Sequence, residues 1–330
     1  MKALIIGLGS MGKRRIRCLK SLGQEDIIAY DPRDDRRAEA ERLYQVKTTG
    51  KLDSAMLSKT DVIIISTPPD HHNEYIKLAI ENKKPAFVEA SVILTGLKEL
   101  ESAAKKQKIL IAPSCTLRFH PAVKDIKNIV AGGKYGKVTN FTYHSGQYLP
   151  DWHPWEMVKD FYVGNKETGG CREIIPFELT WLVDIVGFPK KINGLYGKTM
   201  DVGADIDDTY LISMAFGSYF GSMTVDVVSR YALRSLILNM EQGQITWRWD
   251  ETVVKLYDAA GKRWINYNYP QGQAAGGYNQ NIAENMYIEE LASFLKAAKG
   301  ESQWPNSLDE DIKILELLNE LEGKRNEQRR

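Results

Sequence analysis

The feature that most constrains this chain lies at its start, where Gly7-Leu8-Gly9-Ser10-Met11-Gly12 joins a short apolar run, Ala3 to Ile6, to an amphipathic stretch, Met11 to Leu22. Between a strand and a helix, glycines at this spacing have separate jobs. The first permits a tight turn, the second lets a pyrophosphate approach the backbone, and the third lets the helix pack closely on the strand. Backbone amides at the helix start, around Ser10 and Met11, then face the phosphates. A second apolar run, Asp26 to Tyr30, ends at Asp31, about 20 residues past the last glycine, where a carboxylate can accept both ribose hydroxyls of an adenosine. The chain is therefore expected to hold a dinucleotide. Asp31 would repel a 2′-phosphate, which favours NAD; Arg33, Arg36 and Arg37 could hold one, which leaves NADP open.

The pattern that follows extends this reading. A helix over Asp34 to Tyr44 precedes Asp61 to Ser66 (DVIIIS), a continuous apolar run suited to a strand buried on both faces. Helices near Tyr75 to Asn82 and Leu97 to Lys106 then alternate with strands at Pro85 to Val88 and Ile109 to Ala112. This alternation predicts a doubly wound parallel sheet, an α/β Rossmann domain over residues 1–120, with its ligand beyond the carboxyl ends of the strands. Thr67-Pro68-Pro69 follows one such end and is expected to wall the nicotinamide side. His71 and His72 come next and read as the start of a helix, with His71 counted among the cofactor-binding residues.

From Pro121 the texture changes. A helix over Pro121 to Val130 leading to the run Lys137 to Tyr148, an aromatic loop (DWHPWE), a helix near Ile174 to Val186 and β-like runs from Ile192 to Tyr267 predict a second, α+β domain over residues 121–330. It is built on a largely antiparallel open sheet, and is expected to bind substrate and mediate oligomerisation. Two last helices are expected over Ala283 to Lys299 and Leu308 to Leu321.

Composition removes whole classes of function. With 44 Lys and Arg against 43 Asp and Glu, the net charge of +1 argues against nucleic acid or an anionic membrane as partner. The 3 cysteines lie far apart with no C-x-x-C, and no H-E-x-x-H, G-x-S-x-G or P-loop occurs, so no metal, disulfide framework or serine nucleophile is expected. The run Ala3 to Leu8 is too short and too Gly-broken for a signal peptide, and no stretch reaches the ~18 apolar residues of a membrane span. A cytoplasmic location is expected.

The motifs taken together resemble the glucose-fructose oxidoreductase and inositol dehydrogenase (Gfo/Idh/MocA) family: the glycine fingerprint, S-T-P-P-x-x-H from Ser66, Val88-Glu89-Ala90-Ser91, and Arg118-Phe119-His120-Pro121. The resemblance implies a nicotinamide cofactor, hydride transfer at a sugar or polyol carbinol, and a homodimer or homotetramer formed through the open sheet. The segments Gly146 to Tyr162 and Asn285 to Glu290 are similar to members acting on sugars in bacterial surface-glycan pathways. Three departures stand out. Where the family usually has Glu-Lys-Pro, this chain reads Glu89-Ala90-Ser91, and where an aspartate and a histidine are usual it has Ile174 and Phe177. The ordinary acid/base groups therefore cannot be carried over.

Other groups must supply them if the chain turns over. Glu178 falls on a helical arc with Ile174, Trp181 and Ile185, and a carboxylate among apolar neighbours is either paired or a site for proton transfer. His153, between Trp152 and Pro154, is the second catalytic candidate, with Trp152 and Trp155 placed to stack on sugar faces. Arg118 and His120 are expected near the cofactor's carboxyamide end, Arg118 as a clamp for a substrate carboxylate. Arg172 and Glu173 read either as an internal ion pair or as substrate contacts. Glu89 and Ala90 are expected beside the nicotinamide ribose. The leading expectation is an NAD(P)-dependent oxidoreductase of a sugar, amino sugar or polyol derivative. Its rivals are a catalytically idle NAD or sugar sensor or scaffold, and an epimerase or lyase that recycles tightly bound NAD.

Overall fold

The computed structural model describes residues 1–152, 156–272 and 284–323. Strands β1 (Ala3–Ile6), β2 (Ile27–Tyr30), β3 (Lys47–Thr49), β4 (Val62–Ile65), β5 (Ala86–Val88) and β6 (Ile111–Pro113) alternate with helices α1 (Ser10–Ser21), α2 (Asp34–Tyr44), α3 (Ser54–Lys59), α4 (His72–Glu81) and α5 (Leu97–Gln107). The strands pair in parallel in the order β3-β2-β1-β4-β5-β6. β1 and β4 are buried along their whole length, which is why both read as unbroken apolar runs rather than alternating ones. Strand order reverses between β1 and β4, so the crevice past their carboxyl ends is opened by Gly7 on one side and Ser66-Thr67 on the other. β3 and α3 escape the sequence reading. β3 is a short, polar edge strand with no apolar run to mark it, and α3 is a six-residue helix held by its Asp53 cap on Met56 N–H.

Next come α6 (Pro121–Ala131), β7 (Val138–Tyr148) and α7 (Cys171–Val186), then β8 (Lys191–Gly197), β9 (Thr209–Ala215), β10 (Phe220–Asp226), β11 (Val228–Met240), β12 (Gly243–Arg248), β13 (Val253–Asp258) and β14 (Arg263–Asn268). They form an eight-stranded sheet in the order β14-β13-β12-β11-β7-β10-β9-β8, antiparallel except for the β10–β7 pair. Along its central strands, buried Phe141, Tyr143, Met223, Leu236 and Leu238 alternate with exposed Thr142, Ser222 and Ile237, the period of a sheet with one covered face. α7 begins at Cys171, earlier than the expected start near Ile174, because Gly170 takes a left-handed φ of 62° and turns the chain into the helix there. Helices α8 (Glu284–Ala298) and α9 (Leu308–Leu321) complete the described chain.

The chain divides into two compact units, Met1–Thr116 with Glu284–Lys313, and Leu117–Ala283 with Ile314–Arg330. This compact division sets the break at Thr116, beside the expected boundary at residue 120, and groups α8 with the first unit. Charged and apolar contacts both hold α8 there, Arg17 pairing with Glu284 and Phe294 packing against Phe87. Glu290 of α8 is fully buried and takes hydrogen bonds from Arg15, Ser114, Thr116 and the Cys115 amide, all in the first unit. Among the described residues no helix is long and apolar enough to cross a membrane.

Candidate functional site

At the end of β1 the three glycines are sterically distinct. Gly7 has φ 95°, and a Cβ there would lie 2.5 Å from the Ser66 carbonyl oxygen; a Cβ on Gly12 would lie 1.9 Å from the Gly7 carbonyl oxygen. Both positions admit glycine alone. A Cβ on Gly9 would meet only the Arg36 guanidinium, at 3.8 Å, so open space stands where a phosphate would approach the backbone. No side chain caps the N-terminus of α1 and its first turn holds no acid, leaving the positive end of the helix dipole for an anion. Across the crevice, the Thr67 hydroxyl is buried with no hydrogen-bond partner among the described residues. These residues fit a dinucleotide's pyrophosphate: a glycine cradle, a helix start and an unspent hydroxyl.

Asp31 ends β2 and is 2% exposed, its Oδ2 accepting the Leu8 amide at 2.8 Å and its Oδ1 the Arg33 amide at 2.9 Å. The first of these bonds ties Asp31 to the glycine loop. Glu89, past β5, is gripped by Arg15 in a bidentate pair at 2.6 and 2.9 Å, and Arg15 also reaches Glu290 at 2.8 Å. Burial alone would lower the Arg15 pKa, but the two carboxylates outweigh it and hold the guanidinium above its ordinary value. Thus Glu89 is fixed in place beside Ala90. The sequence reading missed Arg15 and Glu290; a charged residue on the inner face of each helix was the signal available.

Ser91 stands where the family usually has proline, and its hydroxyl makes a 2.8 Å bond with Nδ1 of His72. The other ring nitrogen, Nε2, lies 2.9 Å from the Thr67 carbonyl oxygen. A carbonyl can only accept, so Nε2 carries the proton and Nδ1 accepts from Ser91. His72 therefore staples the Thr67-Pro68 turn to the Glu89-Ala90-Ser91 segment, while neighbouring His71 is exposed and lies 3.8 Å from Glu74. In the first unit, Gly7, Gly9, Gly12, Asp31, Thr67 and Glu89 thus meet at one edge of the parallel sheet.

Among the described residues, the candidates of the second unit do not converge. Glu178 of α7 has 0% exposure, and its carboxylate accepts from the Tyr143 hydroxyl (2.6 Å), the Ser145 hydroxyl (3.0 Å), the Trp181 indole (2.9 Å) and Arg234 (2.8 Å). Burial, then the adjacent carboxylate, push the Tyr143 phenol well above its ordinary pKa, so it stays a donor. Glu178 rivets α7 to β7 and β11. Arg118, expected as a substrate clamp, donates to the Thr180 carbonyl at 2.9 Å and lies 3.7 Å from Asp184. His120 caps α6 through the Ala122 amide and is enclosed by Trp247, Trp249 and Tyr269. Arg172 and Glu173 do not pair with each other: Arg172 pairs with Glu322 at 3.0 Å, and Glu173 accepts from the Tyr162 hydroxyl at 2.8 Å. Trp152 has a buried indole N–H with no partner among the described residues. His153 and Trp155 lie outside the described residues.

Each unit carries a buried imidazole whose pKa is pushed from 6.5 to about 4, His72 chiefly by burial and His120 by burial and then by the Arg234 charge. A folded pKa below the unfolded one means the unfolded state takes up protons first as pH falls. The stabilisation is complete above pH 6.5 and is lost between 6.5 and about 4. Each histidine is expected to cost about 1.4 kcal/mol per pH unit in that window. Urea denaturation at pH 7.0 and 5.5 checks this: a clear fall in stability at the lower pH, reduced in His120→Asn, is expected, and identical midpoints would contradict it.

An uncapped helix start, a glycine cradle and an acid at the end of the second strand define a dinucleotide-binding Rossmann unit. Residues 1–113 match the Gfo/Idh/MocA model, described as an oxidoreductase family with an NAD-binding Rossmann fold. An uncharacterized oxidoreductase of Streptococcus pneumoniae is 24% identical over 268 residues, 78% of this chain and 66% of that protein. The uncharacterized oxidoreductase YhhX of Escherichia coli is 31% identical over 174 residues, 51% of this chain and 48% of that one. The chain thus spans less than two thirds of these curated relatives. In fold it is similar to levoglucosan dehydrogenase in complex with NADH, with a TM-score of 0.82 at 17% identity, covering 98% of this chain and 96% of that one.

Proposed function

We propose that this protein is an NAD(P)-dependent oxidoreductase acting at a carbinol of a sugar, amino sugar or polyol derivative, in the cytoplasm and as a homodimer or homotetramer. The observation that carries the reading is the Gly9 opening, flanked by the Thr67 hydroxyl and by Asp31 at the strand-order reversal. The fold shared with levoglucosan dehydrogenase supports a sugar-like substrate, and the Gly146 to Tyr162 resemblance supports a setting in bacterial surface-glycan metabolism. When bound, the nicotinamide supplies the hydride acceptor. The backbone from Gly7 to Gly12 orients the pyrophosphate, Asp31 the adenosine ribose, and Glu89, fixed by Arg15, the nicotinamide ribose beside Ala90.

Alcohol oxidation also needs a group to take the hydroxyl proton, and Ala90, Ile174 and Phe177 cannot do so. Glu178 already has its acceptors engaged by four side chains, so it serves as a positioning residue for α7. His153 takes the proton, with Trp152 and Trp155 stacking on the apolar sugar faces; Arg118, His120, Arg172 and Glu173 serve the second unit through their contacts with Thr180, Ala122, Glu322 and Tyr162. Absorbance at 340 nm across a panel of sugars, sugar acids, polyols and nucleotide sugars tests this. A substrate-dependent rise is expected, reduced about 10²–10⁴-fold in His153→Gln.

A second reading is favoured by the same three apolar positions: an NAD- or sugar-binding sensor or scaffold without turnover. It would bind NADH yet leave 340 nm absorbance flat over the panel. Conversion of a substrate with no net NADH would instead indicate an epimerase or lyase that recycles its cofactor.

A further inference from the structure

Strands β4 and β5 pair in parallel, and their backbone ladder ends where the Glu89 amide donates to the Ile65 carbonyl at 3.0 Å. Past that point side chains join the two strand ends. The Ser66 hydroxyl reaches Glu89 over a long 3.4 Å, whereas the His72 ring makes two shorter bonds, to the Thr67 carbonyl at 2.9 Å and to the Ser91 hydroxyl at 2.8 Å. His72 opens α4 and is 1% exposed, so neither of its bonds is shared with bulk water. On the other side, Arg15 of α1 grips Glu89. Ala90, whose methyl can form no hydrogen bond, is thereby fixed through both of its neighbours.

An imidazole turns about a torsion with broad minima, so a single hydrogen bond leaves its ring loosely set, while bonds to both ring nitrogens fix it. Ser91 supplies the second of these bonds. The first holds the carbonyl of Thr67, and the backbone around that residue is packed closely: a Cβ added to Gly7 would lie 2.5 Å from the Ser66 carbonyl oxygen and 3.1 Å from the Thr67 nitrogen. A tilt of the ring would therefore release the wall that stands opposite the glycine loop. Asp31 depends on other bonds, from the Leu8 and Arg33 amides, so the adenosine side is held independently of His72. We infer that Ser91 is a positioning residue of the dinucleotide site, acting through the His72 ring to set the Thr67-Pro68 turn and the Ala90 backbone for the nicotinamide half of the cofactor.

The inference rests on the proposed function and fails separately from it. Calorimetric titrations with NADH and with ADP, which carries the adenosine and pyrophosphate but no nicotinamide, are compared for wild type, Ser91→Ala and Ser91→Thr. Ser91→Ala is expected to weaken NADH about 3- to 10-fold, the worth of one neutral hydrogen bond, and to leave ADP within about twofold. Ser91→Thr keeps the hydroxyl and should return NADH affinity to within about twofold of wild type. A variant-free measurement accompanies these: in ¹⁵N-labelled wild type the His72 ring resonances should shift on saturation with NADH and stay in place with ADP. Unchanged NADH affinity in Ser91→Ala, equal weakening of NADH and ADP, no rescue by Ser91→Thr at a wild-type denaturation midpoint, or the same ring shifts with both ligands overturns the inference and leaves the proposed function standing. Failure of wild type to bind NADH overturns the proposed function, and the inference with it.

Discussion

Glu178→Gln is expected to destabilise the second unit by about 3 kcal/mol while leaving turnover per folded molecule within about threefold. The substitution keeps the shape of the side chain but removes the charge that pairs with Arg234, which is 7% exposed. It also replaces one acceptor oxygen by a donor NH₂, and every partner around that carboxylate is a donor: the Tyr143 and Ser145 hydroxyls, the Trp181 indole and the Arg234 guanidinium. At least one donor must then face another. Glu178→Leu should cost a comparable amount, since it too removes the carboxylate that pairs with buried Arg234. Denaturant midpoints measure the loss, and 340 nm assays at a temperature where the variant is folded measure turnover. A hundredfold fall in turnover at unchanged stability would return Glu178 to the chemistry.

Gly12→Ala should have the largest effect on cofactor binding. The added methyl would sit 1.9 Å from the Gly7 carbonyl oxygen, a backbone atom that moves only if the β1–α1 turn opens. That turn also holds Asp31 through the Leu8 amide, so displacement reaches the ribose and pyrophosphate contacts together. Overpacking strain of about 3 kcal/mol corresponds to about a hundredfold loss of NADH affinity. Gly9→Ala, whose methyl has room in the protein alone, should keep the fold and lose affinity only through its clash with the phosphate. Comparable denaturation midpoints for wild type and Gly9→Ala, against a lowered midpoint for Gly12→Ala, would separate the two effects.

Most of the first unit was legible because its determinants are local. A fully apolar β1 and β4, glycines at fixed spacing and an acid at the end of β2 leave few alternatives to a parallel sheet with its crevice at Gly7 and Thr67. β3 was missed because Lys47–Thr49 offers no apolar period, and nothing local on α8 announces the first-unit partners that hold it: Arg17 on Glu284, Arg14 over Tyr287, Arg15 on Glu290 and Phe87 against Phe294. The second unit shows the limit more sharply. Helical periodicity placed Glu178 on an apolar face, which fits either a reactive acid or a paired one. The choice depends on Tyr143, Ser145 and Arg234, brought beside it by strands distant in sequence, and nothing local announces them. The partners of Arg118, His120 and Arg172, which are Thr180, Trp249 and Glu322, are likewise supplied by tertiary structure and leave no local mark.

The most direct test of the account is a calorimetric titration of the wild-type protein with NADH. Saturable binding at one site per chain, weakened about a hundredfold in Gly12→Ala, is the predicted result. No heat of binding to correctly folded wild-type protein, or equal affinity in the two proteins, would contradict it.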